Sequence, residues 1–178
     1  MCPFRRSWPS GPLGFHPKYT VYVMDYTTTS LQLQEFAKEL QLPLLAIVSK
    51  DELKGRVKVG SIILNLQSST DGNGSHWTLL KVFPKGQVIY FDPFGFPYPK
   101  EVGKYIGHKM AVSTRDIQSP NSTMCGYFCL ACDYYMTYET ERRDIYQRYD
   151  DFMNKFKVDT TQNDDILKKY LESVGLQY

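Results

Sequence analysis

The segment from Tyr127 to Tyr138 is apolar and aromatic on nearly every side of a helical projection. A helix without a polar stripe is typical of one buried all round rather than one half exposed at a surface. The residues before it, from Ser119 to Ser122, are turn formers that do not readily continue a helix or a strand. We therefore predict that Cys125 lies at the first turn of a central helix. Unpaired backbone N–H groups and the helix dipole favour a thiolate there.

Other segments have the apolar periodicity of helices that bury one face. Thr29 followed by Gln32 predicts a capping box that opens a helix to about Leu40. A short helix is predicted from Pro99 to Ile106, closed by Gly107. Two amphipathic helices follow the central one, with the stripes Ile145, Tyr149, Phe152, Met153, Phe156 and Ile166, Leu167, Tyr170, Leu171, Val174.

Strand-like segments are rich in aliphatic and β-branched residues. They are Tyr19 to Met24, Val59 to Leu66, His76 to Phe83, Gln87 to Phe91 and Met110 to Ile117. The third and fourth, joined by a turn around Pro84 to Gly86, predict a β-hairpin. The expected fold is α+β: a central mixed or antiparallel sheet, the Cys125 helix packed against it, and further helices outside.

Length and composition fit one ordinary domain. The chain has 178 residues and a formal net charge of only +2, which does not argue for a dedicated nucleic-acid protein. Residues 1–18 hold four prolines and are expected to form an extended N-terminal arm, and residues 19–178 a single domain. No secretory signal is visible, and the longest uninterrupted apolar stretch, Leu42 to Val48, is too short to span a bilayer.

Four cysteines are present, at Cys2, Cys125, Cys129 and Cys132. Three lie on one predicted helix, so a disulfide framework is not expected and a reducing, intracellular setting is favoured. Cys129 and Cys132 repeat the face of Cys125 at i+4 and i+7, which suggests a metal site. Because no second CxxC or HxxxH accompanies them, we predict no metal and interpret both as core residues.

His76 and Asp92 stand where hairpin geometry brings two ends together. The start of the first strand and the end of the second lie at the same edge, which places the carboxylate beside the imidazole. With Cys125 they would form a nucleophile, a base and an orienting group. Gln118, with the Cys125 backbone N–H, could form an oxyanion hole. Taken singly, His76 could be a loop histidine, Asp92 a turn residue, and Gln118 a stabiliser of the turn at Ser119.

Four motifs together resemble the adenovirus-type cysteine endopeptidases. They are GSHW at 74–77, FDPFG at 91–95, Gln118 seven positions before Cys125, and the dipeptide Cys125–Gly126. The proteases of Maverick/Polinton elements and related DNA viruses share the pattern, and the deSUMOylating proteases are more distant. The resemblance covers roughly Leu44 to Tyr138 and implies an adenain-like fold.

The resemblance implies a role for each matching residue. Cys125 would be the nucleophile, His76 the base, Asp92 its partner and Gln118 part of the oxyanion hole. Gly74 and Trp77 would contact substrate.

Trp77 would wall a narrow cleft that favours small residues, commonly glycine, around the scissile bond. In the viral branch the substrates are capsid, core and scaffold precursors cleaved during virion maturation, in the host cytoplasm or nucleus and in the virion.

The chain departs from the adenoviral pattern at two points. Asp92 stands where adenoviral enzymes carry Glu. Those enzymes are stimulated by a disulfide-tethered peptide and by DNA, but no cysteine lies between His76 and Gln118 to take the tether. We expect no required cofactor, protein substrates, at most weak DNA contact, no membrane association and a monomer.

Three alternative functions stay open at this point. An isopeptidase that removes ubiquitin-like modifiers would use the same site. A related acyltransferase would need an acyl-CoA site, for which no basic phosphate-binding motif is visible. An inactive scaffold or partner-binding protein could keep the fold, although the intact set His76, Asp92, Gln118 and Cys125 argues against it.

Overall fold

A computed structural model describes residues 28–72, 75–139 and 144–176 of the chain. The arm at residues 1–18, the strand predicted at 19–24, Cys2, His16 and Gly74 lie outside the described residues.

Within these ranges the chain forms one five-stranded sheet in the order β1-β2-β3-β4-β5. The strands are β1 Leu44–Ser49, β2 Gly60–Asn65, β3 Trp77–Val82, β4 Val88–Phe91 and β5 Ala111–Val112. The pairs β1–β2 and β4–β5 are parallel, whereas β2–β3 and β3–β4 are antiparallel. The sheet is therefore mixed, and the predicted α+β class and the β3–β4 hairpin are confirmed.

The described residues also form five α-helices. They are α1 Ser30–Glu39, α2 Lys100–Ile106, α3 Cys125–Tyr138, α4 Ile145–Met153 and α5 Asn163–Ser173. The capping box at α1 is present: Thr29 Oγ1 accepts from the Gln32 N–H, and the Gln32 side chain accepts from the Thr29 N–H. Gly107 closes α2 at φ 71°, a left-handed conformation that glycine adopts without strain.

Sequence reasoning missed one strand, and one of its strand predictions is wrong. The segment 44–49 forms the edge strand β1, which the apolar run Leu42 to Val48 did not by itself predict as a strand. The predicted strand from Met110 to Ile117 is wrong for most of its length, because only Ala111 and Val112 pair with β4. Beyond them the chain leaves the sheet, and the Ile117 N–H donates to the Pro93 carbonyl at 2.8 Å.

The sheet is covered on both faces. Alternate strand residues point into two separate apolar clusters, one on each face. The cluster shared with α1, α3, α4 and α5 includes Ile63, Leu79, Ile89 and Phe91. The cluster shared with α2 includes Ile62, Leu64, Leu80 and Tyr90. The first nine residues of α3, from Cys125 to Asp133, are all buried, which confirms the prediction of an enclosed central helix. Within the described residues no helix has the length and apolarity to cross a membrane.

A buried ion pair joins α3 to the sheet. Lys81 Nζ lies 2.6 Å from Asp133 Oδ1 and donates to Ser61 Oγ at 2.9 Å and Thr137 Oγ1 at 2.8 Å. Ser61 Oγ donates to the same Asp133 oxygen at 2.5 Å. These directional contacts define how far along β2 and β3 the helix sits, which apolar packing alone specifies less sharply.

Replacing Lys81 by Met tests this pair. Lys81→Met leaves the fully buried Asp133 without its cation, so we expect the free energy of unfolding to fall by about 3–5 kcal/mol. Urea denaturation measures the change. The double variant Lys81→Met/Asp133→Leu should recover much of the loss because no charge stays unpaired. Equal losses in the single and double variants would contradict the assignment.

Candidate active site

The hairpin brings His76 and Asp92 to one edge of the sheet. His76 immediately precedes β3 and Asp92 immediately follows β4, and Leu79 pairs with Phe91 in the antiparallel register between them. His76 Nε2 lies 2.9 Å from Asp92 Oδ1. The structure thus brings these two residues together as the strand pattern predicts.

Asp92 is completely buried and held by more than the histidine. Its Oδ1 also accepts the Phe94 N–H at 2.8 Å, which fixes the carboxylate plane against the following turn. Its Oδ2 is buried without a hydrogen-bond partner within the described part of the chain. A carboxylate held in this way orients the imidazole and stabilises its protonated form.

The pKa of His76 is raised to about 9. Burial alone lowers this pKa, but hydrogen bonds with Asp92 and Cys125, together with their negative charges, outweigh the effect of burial. Since Asp92 occupies Nε2, Nδ1 is the ring nitrogen that remains for a second partner. Because the shift is upward, the His76 imidazole carries its proton at pH 7.

Cys125 begins α3 and is almost fully buried. No side chain caps the N-terminus of α3 in the described structure, so its first backbone N–H groups remain available to an anion. Gly126 is required next to it because α1 approaches closely: a Cβ there would lie 2.8 Å from Leu33 Cδ2 and 2.9 Å from Thr28 Oγ1. Packing against α1 thereby explains the Cys-Gly dipeptide.

Gln118 lies in the loop that leads into α3 and is almost completely buried. Its Nε2 donates to the Ser122 carbonyl at 2.8 Å, which orients the amide. Its backbone N–H and that of Ile117 donate to the Pro93 carbonyl at 3.0 and 2.8 Å. One carbonyl group thus joins the loop that carries Asp92 to the loop that carries Gln118.

Trp77 follows His76 and is buried, with Nε1 donating to the Thr28 carbonyl at 2.7 Å. It also borders a cavity of about 580 Å³ that is lined in addition by Thr28, Ile47, Asn65 and Gln67. Trp77 is thus a core residue, and the lining of the cavity that it borders includes neither His76 nor Cys125.

The other cysteines of α3 lie in the core. Cys129 and Cys132 are fully buried, and burial raises the pKa of both thiols well above the ordinary value. Among the residues that the structure describes, no three His, Cys, Asp or Glu side chains are grouped to hold a metal ion.

Sequence reasoning missed Asn163, which supports the Gln118 loop from α5. Asn163 is fully buried, and its Nδ2 donates to the Ile117 and Lys157 carbonyls at 2.9 Å each. Its Oδ1 accepts the Lys157 N–H at 2.9 Å. No sequence signal could have identified this contact, because Asn163 and Ile117 are 46 residues apart and asparagine is common at helix starts.

Sequence reasoning also assigned no role to Phe94, which lies in the FDPFG motif directly after β4. Its ring lies 4.9 Å from the His76 ring, centroid to centroid, so it contacts the predicted base directly. The antiparallel register, which sets residues after β4 opposite residues before β3, could have suggested this contact.

Comparisons with known proteins show a partial similarity to a viral protease. No protein-family model matches the chain. A protease of bovine adenovirus 2 is 33% identical over an alignment of 89 residues, and the match covers 40% of this chain and 43% of the relative. The match thus covers less than half the length of that relative.

A solved structure of the central domain of an uncharacterised Legionella pneumophila protein matches at a TM-score of 0.45. The two chains are 11% identical, and the match covers 83% of this chain and 95% of that one.

Titration of His76 tests the electrostatics of the site. We expect its imidazole resonances to titrate with a pKa of about 9, and Asp92→Asn to lower that pKa by removing the acceptor charge. NMR can resolve the signals, since the chain has three histidines.

The exposed His108 is the internal control, and its resonance should not respond to Asp92→Asn. Identical His76 titrations in the two proteins would show that Asp92 does not determine the pKa.

Proposed function

We propose that the protein is a cysteine endopeptidase of the adenovirus type. The observation that carries the proposal is the imidazole of His76, which is hydrogen-bonded to buried Asp92 and whose pKa is raised by Asp92 and Cys125 together. The Cys125 sulfur stands at the uncapped N-terminus of a buried helix, where a thiolate is stabilised. The partial similarity to an adenovirus protease supports the same class.

The proposed reaction begins with an ion pair. The Cys125 thiolate attacks the scissile carbonyl carbon, forming a C–S bond and an oxyanion. As the C–N bond breaks, the His76 imidazolium gives its proton to the departing amine, which leaves a thioester on Cys125. The neutral imidazole then takes a proton from water, whose oxygen attacks the thioester. The carboxylic acid departs, and the thiolate and imidazolium are restored.

Gln118 would stabilise the oxyanion together with the Cys125 backbone N–H. One N–H of its amide is occupied by the Ser122 carbonyl, which leaves the second N–H of a pre-oriented donor for the substrate. The loop is held from two sides, by Pro93 and by Asn163. A donor held before the reaction needs little reorganisation as charge develops.

The proposed substrates are polypeptides with small residues, commonly glycine, at the scissile bond. Capsid and core precursors in an infected cell and in the virion are the natural class, and Trp77 would narrow the cleft. Gly74 is proposed as a further substrate contact, and residues 1–18 as an arm on a domain of residues 19–178. Activation by DNA or a peptide would be an addition to this chemistry rather than a requirement of it.

Selective alkylation separates a protease from an idle scaffold. With limiting iodoacetamide at pH 6, we expect Cys125 to react far faster than Cys129 and Cys132, which are buried with raised pKa values. Cys2 serves as a comparison cysteine outside α3. His76→Ala should remove the preference, because the imidazolium that stabilises the thiolate is lost. Peptide mapping by mass spectrometry gives the rates, and uniform labelling of the native protein would exclude the ion pair.

Substitution of Gln118 tests the oxyanion hole separately from the nucleophile. Gln118→Ala should lower kcat for peptide cleavage about 10²–10³-fold, since one hydrogen bond to the transition state is lost. Gln118→Glu, which keeps the shape but replaces the donor with a negative charge, should be at least as slow. Alkylation of Cys125 in both variants is the control, and it should persist because the ion pair does not include the amide. A wild-type kcat in Gln118→Ala would refute the assigned role.

A further inference from the structure

The turn after β4 carries two aromatic side chains in a row that starts at the proposed base. The Phe94 ring is 4.9 Å from the His76 ring, and the Phe96 ring is 6.2 Å from the Phe94 ring. Phe94 is half-buried, whereas Phe96 is 59% exposed. We call Phe94 and Phe96 the aromatic shelf. A single exposed phenylalanine needs no special explanation, but this one continues an apolar surface that begins at the imidazole.

The backbone beneath the shelf is held in place. The Phe94 N–H donates to Asp92 Oδ1 at 2.8 Å, and the Gly95 N–H donates to the Asp92 carbonyl at 2.9 Å. Gly95 has φ 71° and lies so close to the 114–115 backbone that a Cβ would come within 2.9 Å of it. Pro97 restricts the chain directly after Phe96. An apolar group on such a constrained turn loses little entropy when a ligand binds it.

The proposed chemistry indicates which half of the substrate would contact the aromatic shelf. In the proposed reaction His76 gives its proton to the departing amine, so the residues after the scissile bond must pass beside the imidazole. The acyl half instead stays on Cys125, next to the amide of Gln118. A surface that extends from the imidazole therefore meets the leaving half of the substrate.

We propose that Phe96, backed by Phe94, determines specificity for the first two residues after the scissile bond and favours apolar side chains there. This inference rests on the proposed endopeptidase function. It confines the proposed preference for small residues to the acyl side of the scissile bond and adds an apolar preference on the leaving side. Phe96 acts by contact with substrate, whereas Phe94 positions Phe96 and packs against the His76 ring.

The test compares quenched fluorescent peptides that share one acyl half ending in Gly-Gly. The leaving halves begin with Leu-Phe, Ser-Asn or Glu-Asp. We expect the native protein to cleave the Leu-Phe peptide with a kcat/KM about tenfold above that of the Ser-Asn peptide, the usual scale for an apolar contact. Phe96→Ala should bring this ratio close to one. Phe96→Lys should instead favour the Glu-Asp peptide, a gain that a merely structural role would not produce.

A matched control comes from Tyr146, an aromatic residue of α4 that is 47% exposed. Tyr146→Ala should keep the native ratio. If the ratio of kcat/KM between the Leu-Phe and Ser-Asn peptides is the same in the native protein and in both Phe96 variants, the aromatic shelf does not determine specificity. The protease assignment would then still stand. Absence of cleavage of all three peptides, together with uniform cysteine alkylation, would overturn the proposed function and the shelf with it.

Discussion

The register of the β3–β4 hairpin is the constraint on which the candidate site depends. Leu79 pairs with Phe91 and Val82 with Val88, so the register continues with position 78 opposite Asp92. His76, two residues before position 78, is then the diagonal neighbour of Asp92 at one edge of the sheet. A slip of one residue would turn alternate side chains to the opposite face of the sheet and separate the imidazole from the carboxylate. Burial of β3 and β4 on both faces makes such a slip costly, because apolar residues would be exchanged between two packed layers.

The central helix adds the third group through a different kind of interaction. Its apolar faces could pack against the sheet in several axial positions, but the Lys81–Asp133 pair is directional and buried. Asp133 lies eight residues beyond Cys125 on the same helix, so the ion pair that anchors the helix at Asp133 also sets the axial position of Cys125. Close contact of Gly126 with α1 restricts the helix from the opposite side. The position of the sulfur relative to the imidazole thus follows from contacts outside the site.

The helices and the hairpin were predictable from local sequence patterns, whereas the loops around the site were not. Capping, periodicity and turn residues located α1, α2, the hairpin, α3, α4 and α5, because each depends on neighbouring residues. The segment from Met110 to Ile117 has strand composition, yet only two residues pair, because the Pro93 carbonyl takes the Ile117 and Gln118 N–H groups. The contact between Asn163 and Ile117 was equally unpredictable, since it joins elements with no shared local signal.

The sequence by itself determined the candidate chemistry: a cysteine at the start of an apolar helix, a histidine and an aspartate at matching ends of a hairpin, and a glutamine before the helix. These follow from local pattern and from the geometry of a two-stranded turn. Only the tertiary structure decided that Asp92 is fully buried, that His76 has a pKa of about 9, and that Phe94 lies against the imidazole. Burial, electrostatic environment and ring contacts depend on which distant segments surround a residue, and that arrangement is set by the packed core as a whole.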